Sequence, residues 1–206
     1  MKKIALLSIL VLGTTFAPIA EAVTFPSIPP GSVQTLSFHM IPSPGLPAGL
    51  QNAGANIIVH TEGAVEVMEV YVAGLPANTD FDFFVIQQPN APFGLSWYQG
   101  DIETDANGQG FALFIGRFSV ETFIVSPGKI AAPVVFDNNF PDSNIGAVVG
   151  RVHTYHCGLW FNSPADAINA GAQGTVTPFN GEGNAGRQVL NTANFPVLGG
   201  PLINIK

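Results

Sequence analysis

Charged side chains are scarce in this 206-residue chain, in which Asp, Glu, Lys and Arg together make up only 10% of the residues. Basic residues are the fewest, with seven Lys and Arg against fourteen Asp and Glu. The formal charge of −7 repels polyanions, so the composition argues against nucleic acid as a partner. The low content of charged residues and the 16 Phe residues predict a folded, Phe-rich core despite 23 Gly and 17 Pro.

Cysteine is almost missing as well. The single thiol, Cys157, has no partner for an internal disulfide, and a domain of this length is stable without one. Because residues 152–161 around it have the pattern of a buried strand, we predict that Cys157 is a small apolar core residue. An intermolecular disulfide and a metal-bound thiolate are the alternatives.

No hydrophobic run is long enough to span a membrane. Two lysines precede an apolar stretch at 4–13, which is half of the roughly 20 residues that a membrane span needs. Ala20 and Ala22 then supply the small residues that a signal peptidase requires. We therefore expect a signal peptide at 1–22, no transmembrane segment after it, and a secreted protein, extracellular or periplasmic. Two lysines and one glutamate leave with the signal, so 23–206 would be a single domain with a formal charge of −8.

Hydrophobicity alternates with a period of two along most of the chain, and β-branched and aromatic residues are frequent in the alternating segments. Turn residues separate these segments at the spacing seen in sandwiches and barrels. The pattern predicts an all-β, antiparallel β-sandwich of about eight to ten strands. The predicted strands are 33–41, 56–61, 65–73, 80–87, 96–103, 110–118, 120–125, 132–136, 148–157 and 187–191.

Two local motifs refine this prediction. The segment Asp105-Ala106-Asn107-Gly108 is typical of a tight hairpin, in which Asn-Gly supplies positive backbone angles. Ser163-Pro164-Ala165-Asp166 offers a helix N-cap, a proline at the first helical position and an acid that closes a capping box. We therefore expect a short helical turn within one long loop at 162–186, which either carries function or covers a sheet edge.

Four histidines, His39, His60, His153 and His156, lie in or beside predicted strands. Residues three apart on a strand point to opposite faces, so His153 and His156 do not chelate one ion together without a bulge. Hydrogen-bonded structural histidines are the simpler interpretation. A zinc or copper site formed by His60, His153 and His156 is the alternative.

Acidic residues alternate along one predicted strand as Asp101, Glu103 and Asp105, and Asn107 adds an amide oxygen in the following turn. Hard cations such as calcium prefer oxygen ligands of this kind. The spacing of a calcium-binding loop is not met, because no glutamate occupies its closing position. A calcium site at these four residues and a solvated acidic face remain as alternatives.

Motifs for enzymatic catalysis are missing. The chain has no Gly-x-Ser-x-Gly nucleophile elbow, and no pair of acids is marked as a glycosidase pair. Cys157 adjoins His156, but neighbours on a strand face opposite ways, so the imidazole does not readily activate the thiol. The sequence therefore favours a non-enzymatic protein.

Aromatic residues give a better argument for binding. Trp97-Tyr98 and Trp160-Phe161 are adjacent pairs in strand-like runs, so one ring of each pair is expected to face outward. Exposed rings bind sugars or apolar ligands through their faces. Alternatively, sheet ends or the loop at 162–186 cover these rings. The predicted ligand-binding residues are Trp97, Tyr98, Trp160, Phe161 and Asn162.

A run of six residues, Gly74-Leu75-Pro76-Ala77-Asn78-Thr79, is followed by the Asp105–Gly108 turn and a strand that contains histidine. This arrangement resembles exported sandwich domains of the CHRD type, which are similar to copper/zinc superoxide dismutases. The resemblance implies a Greek-key sandwich of the immunoglobulin or superoxide dismutase kind. The dismutase pattern needs a His-x-His pair, whereas this chain has Asp80-Phe81-Asp82 there, so no copper ligand carries over.

Further segments, from Leu159-Trp160-Phe161-Asn162 to Gln188-Val189-Leu190-Asn191, resemble uncharacterised secreted bacterial β-sandwich proteins, a likeness that implies no activity. We therefore predict a secreted or cell-surface module without enzymatic activity that binds an extracellular protein or polysaccharide. The alternative is a metal-binding oxidoreductase domain similar to superoxide dismutase.

Overall fold

The computed structural model describes residues 35–119, 124–127, 149–178 and 183–205. One α-helix, α1 (Pro164–Asn169), and two 3-10 turns, Ala48–Leu50 and Pro201–Asn204, occur among them. In this part of the chain, no helix has the length and apolar character that a membrane crossing requires. The strands are β1 (Thr35–Pro42), β2 (Gly54–Glu62), β3 (Val65–Ala73), β4 (Asp80–Ile86), β5 (Ser96–Glu103), β6 (Gly110–Gly116), β7 (Ile124–Pro127), β8 (Val149–Val152), β9 (His156–Phe161), β10 (Thr177–Pro178), β11 (Asn184–Ala185) and β12 (Gln188–Asn191).

Eight strands form one antiparallel sheet in the order β5-β4-β9-β12-β1-β2-β3-β6. The first and last strands of this order, β5 and β6, are consecutive in the sequence, and a bridge between Thr104 and Gly110 joins their ends. The sheet therefore curls until it is nearly closed. The prediction of an all-β antiparallel fold is confirmed. The short pairs β7-β8 and β10-β11 stand apart from the large sheet.

Strand β1 holds the two halves of the sheet together. Its residues from Thr35 to Met40 pair with β2, whereas Ile41 and Pro42 pair with Asn191 and Leu190 of β12. The N-terminal and C-terminal strands of the described chain are therefore neighbours in the sheet.

One hydrophobic core lies inside the curled sheet, because alternate residues of every long strand point inward. The stacked rings of Phe83 in β4 and Phe114 in β6, 5.2 Å apart, show that both halves share this core. The inward set includes Phe38, Met40, Ile57, Val59, Met68, Val70, Phe81, Phe83, Cys157, Leu159 and Phe161.

Strands β4 and β9 lie in the sheet interior and are buried on their outer faces too. All six residues of β9 are buried, and only Asp80 of β4 is partly exposed. Phe84, Ile86, Trp160 and Ala185 form a second hydrophobic cluster on this outer face. The chain at 87–95 and the β10-β11 pair cover it, and they also form the site described below.

Most strand predictions agree with the structure, but the predicted strand 148–157 was wrong. It is two strands, because β8 ends at Val152 and β9 begins at His156. Between them the carbonyl of Tyr155 accepts a hydrogen bond from the backbone of Leu202, 3.1 Å away, so the C-terminal turn takes the place of a strand partner. The predicted strand 132–136, part of 120–125, and the signal peptide lie outside the described residues.

Both local motifs form the predicted structures. The Asp105–Gly108 segment is the turn between β5 and β6, and Ser163–Asp166 begins helix α1. In the β5-β6 turn only Gly108 has a positive φ, of 71°, so Asn107 does not share the left-handed conformation that we expected of it. Asp105 stabilises the turn instead, since its Oδ1 accepts hydrogen bonds from the backbone of Asn107 and Gln109. In α1, Ser163 is the N-cap and accepts a hydrogen bond from the backbone of Asp166, 3.2 Å away.

Candidate functional site

Four aromatic rings form a continuous row on the outer face of β4, β5 and β9. The central rings, Phe84 and Trp160, meet edge to face with centroids 5.2 Å apart. Tyr98 lies 5.5 Å from Phe84 at one end, and Phe93 lies 5.0 Å from Trp160 at the other. This row is the floor and one side of a cleft of about 660 Å³, which we call the aromatic cleft. The volume lies within the range of ligand-binding pockets.

Residues 87–95 form one wall of the aromatic cleft and contribute Pro92, Phe93 and Gly94. The loop is held by its own backbone, since Gln87 N donates to Leu95 O (2.9 Å) and Gln88 N donates to Phe93 O (2.8 Å). The fully buried side chain of Gln87 also accepts a hydrogen bond from Leu95 N. Phe93 has a φ of 51°, which is rare for a bulky residue, and its ring packs against that of Trp160.

Buried amides attach this loop to the sheet. Gln188 Nε2 donates to Pro89 O (3.1 Å), and Asn191 Nδ2 lies 3.4 Å from Asn90 Oδ1. Ser43 and Asn191 both donate to Gln188 Oε1, so the amide of Gln188 is oriented from two sides. A network of this kind holds a loop in one conformation, because breaking it leaves buried polar groups unpaired.

The opposite wall is the β10-β11 pair, with Thr177, Pro178, Asn184 and Ala185. Thr177 Oγ1 donates to Gly186 O (2.8 Å), and Gly186 N donates to Phe161 O (2.7 Å). These bonds join the pair to β9, which carries Trp160. Both walls are therefore tied to the strands below the cleft.

The indole nitrogen of Trp160 is the unusual polar atom of this site. Trp160 is only 3% exposed, and its Nε1 has no hydrogen-bond partner among the described residues. Buried donors almost always have a partner in folded proteins. The nitrogen itself is closed to solvent, so Trp160 lines the cleft through other atoms of the residue.

No Asp, Glu, Lys, Arg or His is found among the described residues that line the aromatic cleft. Two carboxylates lie next to the lining: buried Asp82 is opposite Trp160 in the β4-β9 pair, and Asp101 accepts a hydrogen bond from the Tyr98 hydroxyl. Asp80, which is on the neighbouring strand β4, has a raised pKa because it is partly buried and because Asp101 and Glu103 repel its charge. The surroundings of the cleft are therefore acidic while its described lining is neutral.

The structure brings together two of the five predicted ligand-binding residues, Tyr98 and Trp160. We expected one outward ring in each aromatic pair. Trp160 does face outward while Phe161 packs in the core, but in the other pair both rings are exposed. Trp97 and Tyr98 are both exposed because β5 is the outermost strand and has a bulge between the partners of Phe83 and Phe84. Trp160 and Phe161 are both buried because β9 is covered on both faces.

Three predicted ligand-binding residues lie elsewhere. Phe161 packs in the main core against Phe81, with ring centroids 5.1 Å apart. Asn162 donates through Nδ2 to Asp80 Oδ2 (3.1 Å) and joins the end of β9 to the start of β4. Trp97 is 52% exposed outside the cleft.

Sequence reasoning missed Phe84 and Phe93. The alternation of 80–87 placed Phe81 and Phe83 inward, and the same alternation puts Phe84 on the other face, so its role was detectable. The position of Phe93 was not, because it depends on a loop that is held by side chains from distant β12.

The histidines do not converge in the described structure. His60 points outward from β2, whereas His156 points outward from β9. Two strands separate β2 from β9 in the sheet, so the distance between them is on the order of 14 Å. His153 is buried and stacks on Tyr155 at 5.0 Å. Within the described ranges, no group of three or more His, Cys, Asp or Glu is placed to hold a metal ion.

Both ring nitrogens of His156 have protein partners. Nε2 lies 3.2 Å from Val197 O and therefore donates to it, while Nδ1 lies 2.8 Å from Thr192 Oγ1. Burial lowers the pKa of this imidazole, against a smaller opposing effect of the hydrogen bonds to Val197 and its neighbours. The arrangement is that of a neutral structural histidine.

The four predicted calcium ligands are exposed, and they are spread over β5 and its turn. Asp101 accepts from Tyr98, and Asp105 accepts from the turn backbone and from Asn107 Nδ2. Asp105 also accepts a hydrogen bond from the backbone N–H of Gln109. This bond and those from Asn107 lower the pKa of Asp105. Asp105 therefore stabilises the turn. Glu103 lies opposite Asp80 of β4.

Cys157 is fully buried in the core, as predicted. Burial raises the pKa of its thiol well above the ordinary range, so the thiolate is strongly disfavoured. Its backbone N–H donates to Thr192 Oγ1 (3.1 Å), the same hydroxyl that contacts His156. The thiol itself faces the core, away from the imidazole.

A second depression, of about 730 Å³, lies on the outer face of β1, β2, β3 and β6. Three of its polar side chains already have partners, since His39 Nδ1 lies 2.5 Å from Asn56 Oδ1 and the Tyr71 hydroxyl donates to Glu69. The aromatic cleft is therefore the better candidate for a binding site. Comparisons with protein-family models, with curated proteins and with solved structures give no match for this chain.

Proposed function

We propose that this chain is a secreted or cell-surface module without enzymatic activity, and that it binds an extracellular ligand in the aromatic cleft. The observation that carries the proposal is the row of four rings that lines the cleft. Aromatic rings supply large contact areas at small conformational cost.

The chemistry of the cleft favours binding over catalysis. General acid–base and nucleophilic catalysis use carboxylates, imidazoles, thiols or amines near the substrate. None of these groups is found among the described lining residues. The hydrogen bonds that hold residues 87–95 also favour a preformed site, because a fixed wall lowers the entropy cost of binding.

Fluorescence gives a direct test, because the chain contains only two tryptophans. In a Trp97→Phe variant, Trp160 is the single reporter and lies in the floor of the cleft. We expect a saturable change in its emission on titration with soluble neutral oligosaccharides or with the apolar dye N-phenyl-1-naphthylamine. Absence of any change with every probe would contradict the proposal.

Matched variants locate the binding site. Phe93→Ala and Tyr98→Ala should each weaken binding about tenfold, which corresponds to roughly 1.4 kcal/mol of lost ring contact. Phe111→Ala is the control, since Phe111 is 52% exposed on the outer face of β6, outside the cleft. Equal effects of Phe93→Ala and Phe111→Ala would place binding elsewhere.

Export is tested separately. Intact-mass measurement of protein recovered from the medium or the periplasm should give a chain that begins at Val23. A mature chain that retains Lys2 and Lys3 in a membrane fraction would overturn the proposed localisation.

A further inference from the structure

We infer that the ligand of the aromatic cleft is a small organic cation, with its apolar body on the aromatic row and its ammonium group at the Tyr98 end, beside the carboxylate of Asp101. This inference rests on the proposed function and names the ligand class of the same site. Two features of the described residues support it. An acidic group of residues lies directly beside the aromatic row, and a hydrogen bond joins the two.

Four acidic residues are neighbours on the outer face of β4 and β5. Asp80 lies opposite Glu103, and Asp82 lies opposite Asp101. The phenylalanines that alternate with the two aspartates of β4 point into the core, so the aspartates themselves point outward. We call these four residues the acidic group.

The acidic group ends where the aromatic row begins. After Asp82 and Asp101, the next outward pair along the two strands is Phe84 and Tyr98. Successive outward residues of a strand are about 7 Å apart, so the carboxylates and the rings are adjacent. The Tyr98 hydroxyl donates a hydrogen bond to Asp101, which holds this carboxylate at the Tyr98 end of the cleft.

The charges of the acidic group repel one another. Burial, together with the charges of Asp101 and Glu103, raises the pKa of Asp80. The arginines whose side chains are described have partners outside this group. Arg117 pairs with a glutamate of β3, and Arg187 donates to Gln173. A cation bound beside the acidic group would offset the repulsion.

Aromatic rings attract cations through their faces, and the attraction is strongest where water is excluded. A cation within about 6 Å of the Tyr98 ring would be attracted by the ring and by Asp101 together. Phe84, Phe93 and Trp160 would contact the apolar part of the same ligand. An uncharged ligand would gain nothing from the acidic group, and an anion would be repelled by it.

Two further observations define the kind of cation. The cleft volume of about 660 Å³ is that of a site for a small molecule. A bare metal ion fits less well, because no group of three or more His, Cys, Asp or Glu in the described parts of the chain is placed to hold one. An organic ammonium ion needs only the rings and one carboxylate. The formal charge of −7 also attracts cations at long range.

Three probes that share one phenylbutyl body test the sign of the charge. Phenylbutylamine is cationic at neutral pH, phenylbutanol is uncharged and phenylbutyrate is anionic. Binding is followed through Trp160 in the Trp97→Phe protein. We expect the amine to bind about tenfold more tightly than the alcohol, and the anion to bind most weakly.

The outcomes separate this inference from the proposed function. Equal affinities of the amine and the alcohol, or tightest binding of phenylbutyrate, overturn the inference but leave a ligand in the cleft. Binding of N-phenyl-1-naphthylamine without binding of the amine does the same. Absence of binding by all three probes and by the dye overturns both.

Asp101→Asn tests the contact with the carboxylate, because asparagine removes the charge and keeps an acceptor for the Tyr98 hydroxyl. The preference for the amine over the alcohol should fall about threefold. Glu69→Gln is the matched control, since Glu69 accepts from the Tyr71 hydroxyl outside the cleft and the change removes the same charge from the chain. Equal preferences in the two variants overturn the inference.

Salt gives a measurement that needs no further variant. Raising NaCl from about 0.02 M to about 0.5 M screens the carboxylates, so the preference for the amine should fall about threefold. A preference that does not change with salt overturns the inference, because it would not arise from charge.

Discussion

The six-membered ring of Trp160 lies directly over the backbone of Gly158. A Cβ added at Gly158 would stand 2.7 Å from Cη2 of the indole and closer still to Cζ3. Both residues face outward from β9, and Gly158 is paired with Phe84 of β4. The lack of a side chain at position 158 therefore leaves the space that the Trp160 ring occupies in the aromatic cleft.

Substitution Gly158→Ala should displace Trp160 and destabilise the protein by about 1–3 kcal/mol, as overpacking usually does. Ligand binding in the cleft should be lost at the same time. Gly49→Ala is the matched control, because a Cβ there meets nothing within 4 Å. Chemical denaturation of both variants measures the difference, and equal stabilities would contradict the described ring position.

The thiol of Cys157 should be inert in the folded protein, since it is fully buried and burial raises its pKa. A disulfide reagent should react at once in guanidinium chloride and only at the rate of unfolding in buffer. Cys157→Ser should cost about 1–2 kcal/mol, because the hydroxyl is placed among apolar side chains. Immediate reaction of the native protein, or a covalent dimer, would show that the thiol is accessible.

Helix α1 depends on its N-cap residue, Ser163. Ser163→Ala removes the acceptor for Asp166 N and the hydrogen bond from Ser163 Oγ to Asp166 Oδ2 (2.6 Å), so we expect a loss of about 1 kcal/mol. Ser163→Asn keeps a capping acceptor and should lose less. Thermal melts of the two variants make the comparison, and an identical loss would mean that capping does not stabilise α1.

Stability should fall on mild acidification because of His156. Its pKa is lowered by burial in the folded state, whereas in the unfolded chain it is about 6.5. The unfolded state therefore binds the proton first, so the stabilisation is complete above about pH 6.5 and is lost as the pH falls toward the lower, folded pKa. The difference in unfolding free energy between wild type and His156→Gln should shrink between pH 7 and 5. His39→Gln, at an exposed site, controls for other groups, and an unchanged difference would contradict a buried neutral imidazole.

The strand ladder was predictable because alternation records which side of a strand is buried. Strands β3 and β5 begin and end where the pattern placed them, and Ser163 was identified as a cap from its local sequence alone. The break at His153–Tyr155 was not predictable, since it depends on a hydrogen bond to the distant Leu202. Local patterns carry no information about such contacts.

The aromatic cleft was predictable only in part. The aromatic pairs pointed to Tyr98 and Trp160, but their exposure depends on strand order. Nothing in the sequence near Trp160 indicates that β9 lies between β4 and β12, which is why its outer face is covered. The burial of a ring on a strand is thus decided by neighbours that the local pattern does not identify.

The pairing of Ile41 with Asn191 has a consequence for synthesis of the chain. Strands β1, β2 and β3 follow one another closely and can pair soon after they leave the ribosome. Their inward residues, such as Phe38 and Ile57, remain uncovered until β9 and β12 have been made near the C-terminus. Folding is therefore delayed by its most distant contact, and a nascent chain that stops before Gln188 would keep an exposed apolar surface suited to chaperones.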